Sequence, residues 1–197
     1  MNILSLAATL LLLGPVTLES GRFSIIQDGK RVGSEQFTIS AGRDGGYIAE
    51  AKTQLSGDPL QLSSRLELDK KLNPISYEYT HGKGTIRVKF GDPTSEYETD
   101  NDGKKSSIDF RFPTTGFILD NNFFSHYVML LYKASEAGGP VPILVPQDMR
   151  LGTATVKAKG NNVYELDMGD VVMEATTDKT GKLIRLSVPS AKVVVER

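Results

Sequence analysis

No cysteine occurs in this chain, which removes disulfides, thiolate metal sites, cysteine nucleophiles and a lipidated-cysteine anchor together. An excess charge of one sign is missing as well. The 23 Lys and Arg meet 24 Asp and Glu, giving a formal net charge of −1, and the signs are interspersed. That balance leaves no electrostatic footprint for nucleic acid and no polybasic segment for membrane attachment. No apolar run is long enough to cross a bilayer. Ile3–Leu13 is almost wholly apolar, but its length of about 11 residues falls short of the about 20 that a spanning helix needs. Catalytic signatures are scarce too. Gly-x-Ser-x-Gly and His-Glu-x-x-His do not occur, and Gly82-Lys83-Gly84 is too short for a phosphate-binding loop. The sequence therefore predicts no catalytic residue, no cofactor and no metal site.

What is present is alternation. In Leu60–Leu68 the apolar Leu60, Leu62, Leu66 and Leu68 fall on even positions, with Ser63, Arg65 and Glu67 between them. This is the period of a half-buried strand, one face dry and one wet. The pattern repeats nearly end to end. Arg22–Gln27 meets Lys30–Ala41 across Asp28-Gly29, a pair suited to a tight hairpin. Tyr47–Leu55, Leu60–Leu68, Ile75–Thr80, Thr85–Phe90, Ser95–Thr99 and Ser106–Phe112 follow. Alternation resumes in Met149–Lys159, Val163–Met168, Val171–Thr177, Leu183–Val188 and Ala191–Val195. Short turns between them predict pairing of sequence neighbours, a meander without a βαβ crossover. No linker divides the chain, so residues 21–197 read as one domain.

One segment breaks the rhythm. Over Asp120–Ala134, Phe123, Phe124, Tyr127, Leu131 and Ala134 recur at helical spacing, Asp120 or Asn121 can cap the first amides, and Gly138-Gly139-Pro140 stops the run. The expected fold is mainly β: a strongly curved antiparallel meander sheet, a half-barrel or open barrel, with this one amphipathic helix as its lid. Two interiors satisfy that plan. The apolar residues either fill a solid core or line a hollow for an apolar ligand. In the second case Leu60, Leu62, Leu66 and Leu68 line it from the sheet, and Phe123, Phe124, Tyr127 and Leu131 from the helix.

The residues with chemical potential each have a plainer reading. His126, four residues after Asn122 on one helix face, reads as a polar residue at the helix–solvent boundary. His81 reads as a turn residue. Asp100-Asn101-Asp102-Gly103 opens like a calcium loop, but the Glu required at its twelfth position would be Arg111, so a hairpin tip is expected. Glu96 and Glu98 read as one wet sheet face.

Ile3–Leu13 followed by Gly14-Pro15 suits the apolar part of a secretory leader spanning residues 1–20, with cleavage near Ser20–Gly21. That address predicts an exported, periplasmic chain with no stable membrane span after cleavage. The segment Phe23-Ser-Ile-Ile-Gln-Asp-Gly-Lys-Arg-Val-Gly-Ser-Glu-Gln-Phe37 resembles the start of bacterial envelope proteins of the DUF3108 and DUF6134 type. Leu183–Arg197, with Val188-Pro189 before a short apolar strand, is compatible with it. The general plan also resembles the lipoprotein carriers LolA and LolB, a half-barrel with a helical lid over an apolar hollow, though these have more lid helix than this sequence offers. The resemblance implies a fold, a compartment and an apolar ligand; it transfers no site residue.

Two functions follow as expectations. The first is a non-enzymatic carrier of an apolar small molecule, lipid, acyl chain or lipidated segment. The second is an envelope scaffold or protein-interaction module with a filled core and a protein partner along a strand edge. An enzyme comes third, with His126 and Asp120 as its centre.

Overall fold

Two-residue turns set the topology. Asp28-Gly29 takes positive φ at both positions (50° and 73°), as does Asp102-Gly103 (53° and 86°). That backbone matches the twist of a tight hairpin and costs glycine nothing. A computed structural model describes residues 16–197. Its first half runs β1 Thr17–Gln27, β2 Lys30–Ala41, β3 Tyr47–Leu55, β4 Leu62–Leu68, β5 Pro74–His81, β6 Gly84–Lys89, β7 Ser95–Asn101 and β8 Lys104–Phe110. Then come β9 Phe117–Ile118, the helix α1 Ser125–Ala137, and β10 Val141–Val145. The chain ends with β11 Arg150–Gly160, β12 Val163–Asp167, β13 Val172–Thr177, β14 Leu183–Val188 and β15 Val193–Glu196.

These 15 strands form one open sheet, in the order β8-β7-β6-β5-β4-β3-β2-β1-β15-β14-β13-β12-β11-β10-β9. The meander is as expected, with two non-local additions. β1 pairs with β15, Ile25 opposite Val195, which joins the halves at the middle of the sheet. β10 pairs in parallel with β9, Ile143 opposite Phe117, across α1. That is a βαβ crossover, and it corrects the expectation of none. The two strands escaped the alternation rule for physical reasons. β9 has only two residues, and β10 is apolar on both faces because both are covered.

The sheet edges, β8 and β9, are neighbours in the chain, and the sheet curls so that its ends approach. β9 packs on β5, the 3-10 turn Pro146–Asp148 packs on β6, and the Tyr97 hydroxyl of β7 donates to the Pro146 carbonyl at 2.9 Å. Inside the curl, Phe23, Leu66 and Tyr77 from one half meet Leu144, Leu166 and Leu186 from the other. Phe23 and Phe37 stack at 5.1 Å.

α1 sits within that core, touching β3 and β11. It begins at Ser125, later than the expected Asp120, because Asp120 and Asn122 are committed to a turn: the Asn122 amide donates to Asp120 Oδ1 at 2.8 Å. Ser125 through Leu130 are all buried. The helix is thus a plug enclosed on all sides at its N-terminal end, and the expected solvent face appears only from Leu131 onward. His126, expected at a boundary with water, is 0% exposed. Gly138, at φ 65°, ends the helix with its N–H on the Ala134 carbonyl, as the Gly-Gly-Pro stop predicts.

The leader expected over residues 1–20 lies largely outside the described residues, but its last part does not. Thr17–Ser20 belong to β1, paired with β2. Glu19 holds the guanidinium of Arg197 at 2.7 Å, with side chains 9% and 19% exposed. Cleavage at Ser20–Gly21 would cut off that pair and one end of a ladder. A chain starting at Gly21 should be about 2 kcal/mol less stable. Equal urea midpoints for the two lengths would contradict this.

Candidate functional site

The polar residues of the interior form one continuous set around the start of α1. On β2 the inward positions are Gly33, Glu35, Phe37 and Ile39, so strand periodicity alone aims the Glu35 carboxylate into the core. Glu35 is 0% exposed, and its two oxygens accept the backbone N–H groups of Phe124 and Ser125, the latter at 2.9 Å. These are orphan amides at the helix start, where a negative group is favoured. The helix is capped from 90 residues away; no side chain near it in sequence does so. Burial pushes the Glu35 carboxyl up to about 7, against the opposing pull of Ser125 and the Phe124 amide, and nearby Asp120 pushes it further.

Asp120 anchors the segment before the helix. Its carboxylate accepts from the Tyr77 hydroxyl, the Gln147 amide and the Asn122 N–H. Burial raises its pKa despite those three donors. The Tyr77 hydroxyl is pushed well above its ordinary value, first by burial and then by the Asp120 charge. Thr53 on β3 completes the clasp by donating to the Asn122 carbonyl at 2.8 Å. At the other end of α1, Lys133 reaches the Leu72 carbonyl at 3.0 Å and Asn73 Oδ1 at 2.9 Å. Burial lowers its pKa.

His126 stands apart. Its ring lies edge-on to Tyr77 and stacks on Phe123, each at 5.9 Å. Neither ring nitrogen has a hydrogen-bond partner among the described residues, and burial holds its pKa down at about 3. Asp120 does not pair with it; that carboxylate is occupied by Tyr77, Gln147 and Asn122. The two residues named as a catalytic centre are brought into one core with no hydrogen bond between them, and both are sealed from solvent. Chemically, the set as it stands can cross-link the helix to three strands.

The eight residues proposed to line an apolar hollow fall into three groups. Leu62, Leu66, Leu68, Phe123, Phe124 and Tyr127 share one buried cluster. Leu131 is half-buried at its margin. Leu60 is 46% exposed and precedes β4. Its amide donates to Asp58 Oδ1 at 2.9 Å, so the Asp58-Pro59 turn holds it out of the strand. A hollow of about 110 Å3 does adjoin the helix elsewhere, between Tyr127, Leu119, Ile143, Met168 and Met173. It is smaller than the roughly 150 Å3 cavity that accommodates benzene.

The outer face of the sheet carries the larger depression, about 950 Å3, lined by Arg22, Gln36, Glu50, Lys52, Arg65 and Glu78. Cross-strand register lines up Thr38, Glu50, Arg65, Glu78, Arg87 and Glu98 in one row from β2 to β7. Arg65 pairs with Glu50 at 2.6 Å and Glu67 at 2.8 Å, and Arg87 with Glu78 at 2.8 Å. Exposed pairs of this kind add about 0–1 kcal/mol each, so the row matters as a patterned surface more than as a source of stability. The remaining polar candidates are spoken for. His81 ends β5 and faces Asp58 at 2.8 Å, while Asp100 accepts the Gly103 N–H at 2.9 Å within the hairpin tip. No cluster of metal-ligating side chains occurs among the described residues.

Sequence reasoning passed over Glu35, Thr53 and Tyr77 as site residues. The available signal was a charged residue in strict register with Phe37 and Ile39, an inward position. In comparisons with known proteins, no family model, curated protein or solved structure matches the chain.

Proposed function

We propose that this chain is a non-catalytic scaffold or interaction module of the bacterial envelope, with a solid interior and an outer sheet face that meets a protein partner. The observation that carries this reading is the enclosure of α1. Six consecutive helix residues are buried, and the first helix amides, the Asn122 carbonyl and the Asp120 carboxylate are engaged with β2, β3 and β5. Entry of a ligand between helix and sheet would break those bonds. The charge row through Arg65 and Arg87 supplies a patterned surface of balanced sign, which favours specificity over general stickiness.

The test uses two arms. Delipidated protein should show no saturable uptake of a fluorescent fatty acid. Immobilised protein should retain a partner from envelope extract that the double variant Arg65→Glu, Arg87→Glu does not retain. Saturable uptake, or retention indifferent to both reversals, would overturn the reading.

One observation favours the carrier reading instead: the hollow beside Tyr127 is bordered by Met168 and Met173, and methionine repacks readily around apolar guests. On that reading the helix shifts to enlarge a 110 Å3 space, and the fatty-acid arm of the same experiment detects it.

A further inference from the structure

The edge strand β8 is exposed on both faces from Lys104 to Asp109, and its open side follows from the turn that precedes it. A two-residue hairpin makes its closing pair, Asn101 and Lys104, a hydrogen-bonded one. The Asp102 N–H turns the other way, onto the Lys83 carbonyl beside β6, which fixes the alternation. Lys104, Ser106, Ile108 and Phe110 therefore bond inward to β7. Lys105, Ser107 and Asp109 present their N–H and C=O groups to the outside.

The geometry points to a second copy of this chain as the occupant of that edge, paired antiparallel about a two-fold axis at Ser107. An antiparallel two-fold pairs positions whose numbers are symmetric about its centre. Centred on Ser107, it sets Lys105 opposite Asp109 of the other copy, and Asp109 opposite the other Lys105. Among the described residues these are the three positions of β8 whose backbone groups have no partner, so the hydrogen-bonding register and the charge register coincide.

The charges within one chain point the same way. Lys105 already faces Asp100 across β7, but Asp109 faces Glu96. Like charges directly opposite are unfavourable, so Asp109 lacks a cation on its inner side. The other copy supplies one. On the reverse face Ile108, 50% exposed, comes diagonal to its own counterpart, within reach of an apolar contact. Lysines on an edge ordinarily discourage pairing; in this register Lys105 meets Asp109, while Lys104 falls opposite Phe110. Seven residues a side place the contact in the small, transient class. This pairing uses the strand edge and is independent of the outer-face partner proposed above.

Sedimentation velocity over a concentration series of the full chain up to about 1 mM tests it. The wild type should show a concentration-dependent monomer–dimer equilibrium. Asp109→Lys should raise the dissociation constant by about tenfold or more, since symmetry introduces the repulsion twice. Mixing that variant with Lys105→Asp should restore pairing between the two. Ser107→Pro, which removes an outward N–H and leaves the β7 ladder its bonds, should abolish dimer with an unchanged melting temperature. A chain that stays monomeric throughout, including one that captures a foreign strand at this edge, overturns the proposal. So does a dimer that survives both Asp109→Lys and Ser107→Pro.

Discussion

Replacing Glu35 by alanine is expected to cost about 4 kcal/mol of folding stability at pH 4.5, and about 3 kcal/mol less than that at pH 8. The acid-side cost has two parts. The Phe124 and Ser125 amides lose their acceptor inside the core, at roughly 1–3 kcal/mol each, and the missing carboxyl leaves a void. The pH dependence comes from the carboxyl itself. Its pKa is about 7 folded against an ordinary 4.5. A group with a raised folded pKa binds a proton more tightly in the native state, so its contribution is complete below pH 4.5 and declines as pH climbs through 7. Deleting the side chain deletes that decline. Urea titrations of wild type and variant at pH 4.5 and pH 8 should give stability differences that shrink toward the higher pH. Glu35→Gln keeps one acceptor and cannot titrate, so its cost at pH 4.5 should be about half that of alanine and should shrink toward pH 8 in the same way. A Glu35→Ala penalty equal at both pH values would contradict the burial of an ionisable carboxyl at the helix start.

His126→Leu should act in the opposite sense, removing an acid sensitivity of about 3 kcal/mol between pH 8 and pH 4. The imidazole is buried neutral, its pKa about 3 against an ordinary 6.5. With a depressed folded value, the unfolded chain takes up the proton first. Stability from this group is therefore present above pH 6.5 and drains away as pH falls toward 3. Leucine fills a similar volume with nothing to protonate. It also relieves two ring nitrogens that have no partner, a gain of about 1–3 kcal/mol at neutral pH, reduced by the lost stacking on Phe123. In the wild type, Glu35 and His126 offset each other over pH 4 to 8, one strengthening the fold on acidification and the other weakening it. Asp120, also raised by burial, adds to the Glu35 side. Each single variant should uncover a slope that the wild type conceals: stability falling with pH for His126→Leu, and rising with pH for Glu35→Ala. Parallel profiles for all three proteins would show that neither group titrates in the folded core.

The strands were legible because their signal is local. Tyr47–Leu55 and Leu183–Val188 have the same ends in the sequence reading and in the structure, since alternation and flanking turn residues act within a few positions. Where a turn claimed strand residues, the reading overran. Leu60 matched the apolar phase of Leu62, yet the Asp58 carboxylate had already taken its amide. β9 and β10 were missed because burial on both faces erases the period that reveals a strand.

Composition and periodicity by themselves determined that this chain lacks thiol chemistry, lays down hairpin after hairpin, and interrupts them with one helix ending at Gly138. Which side of that helix meets water was not written in its own residues. His126 and Ser125 are polar, and only the return of β9, β10 and β11 over β3 and β5 encloses them. The cap at the helix start was equally hidden, because its carboxylate arrives from 90 residues away. Periodicity fixes which way a side chain points from its own strand. What it meets there depends on how the far end of the sheet curls back, which is a property of the assembled sheet.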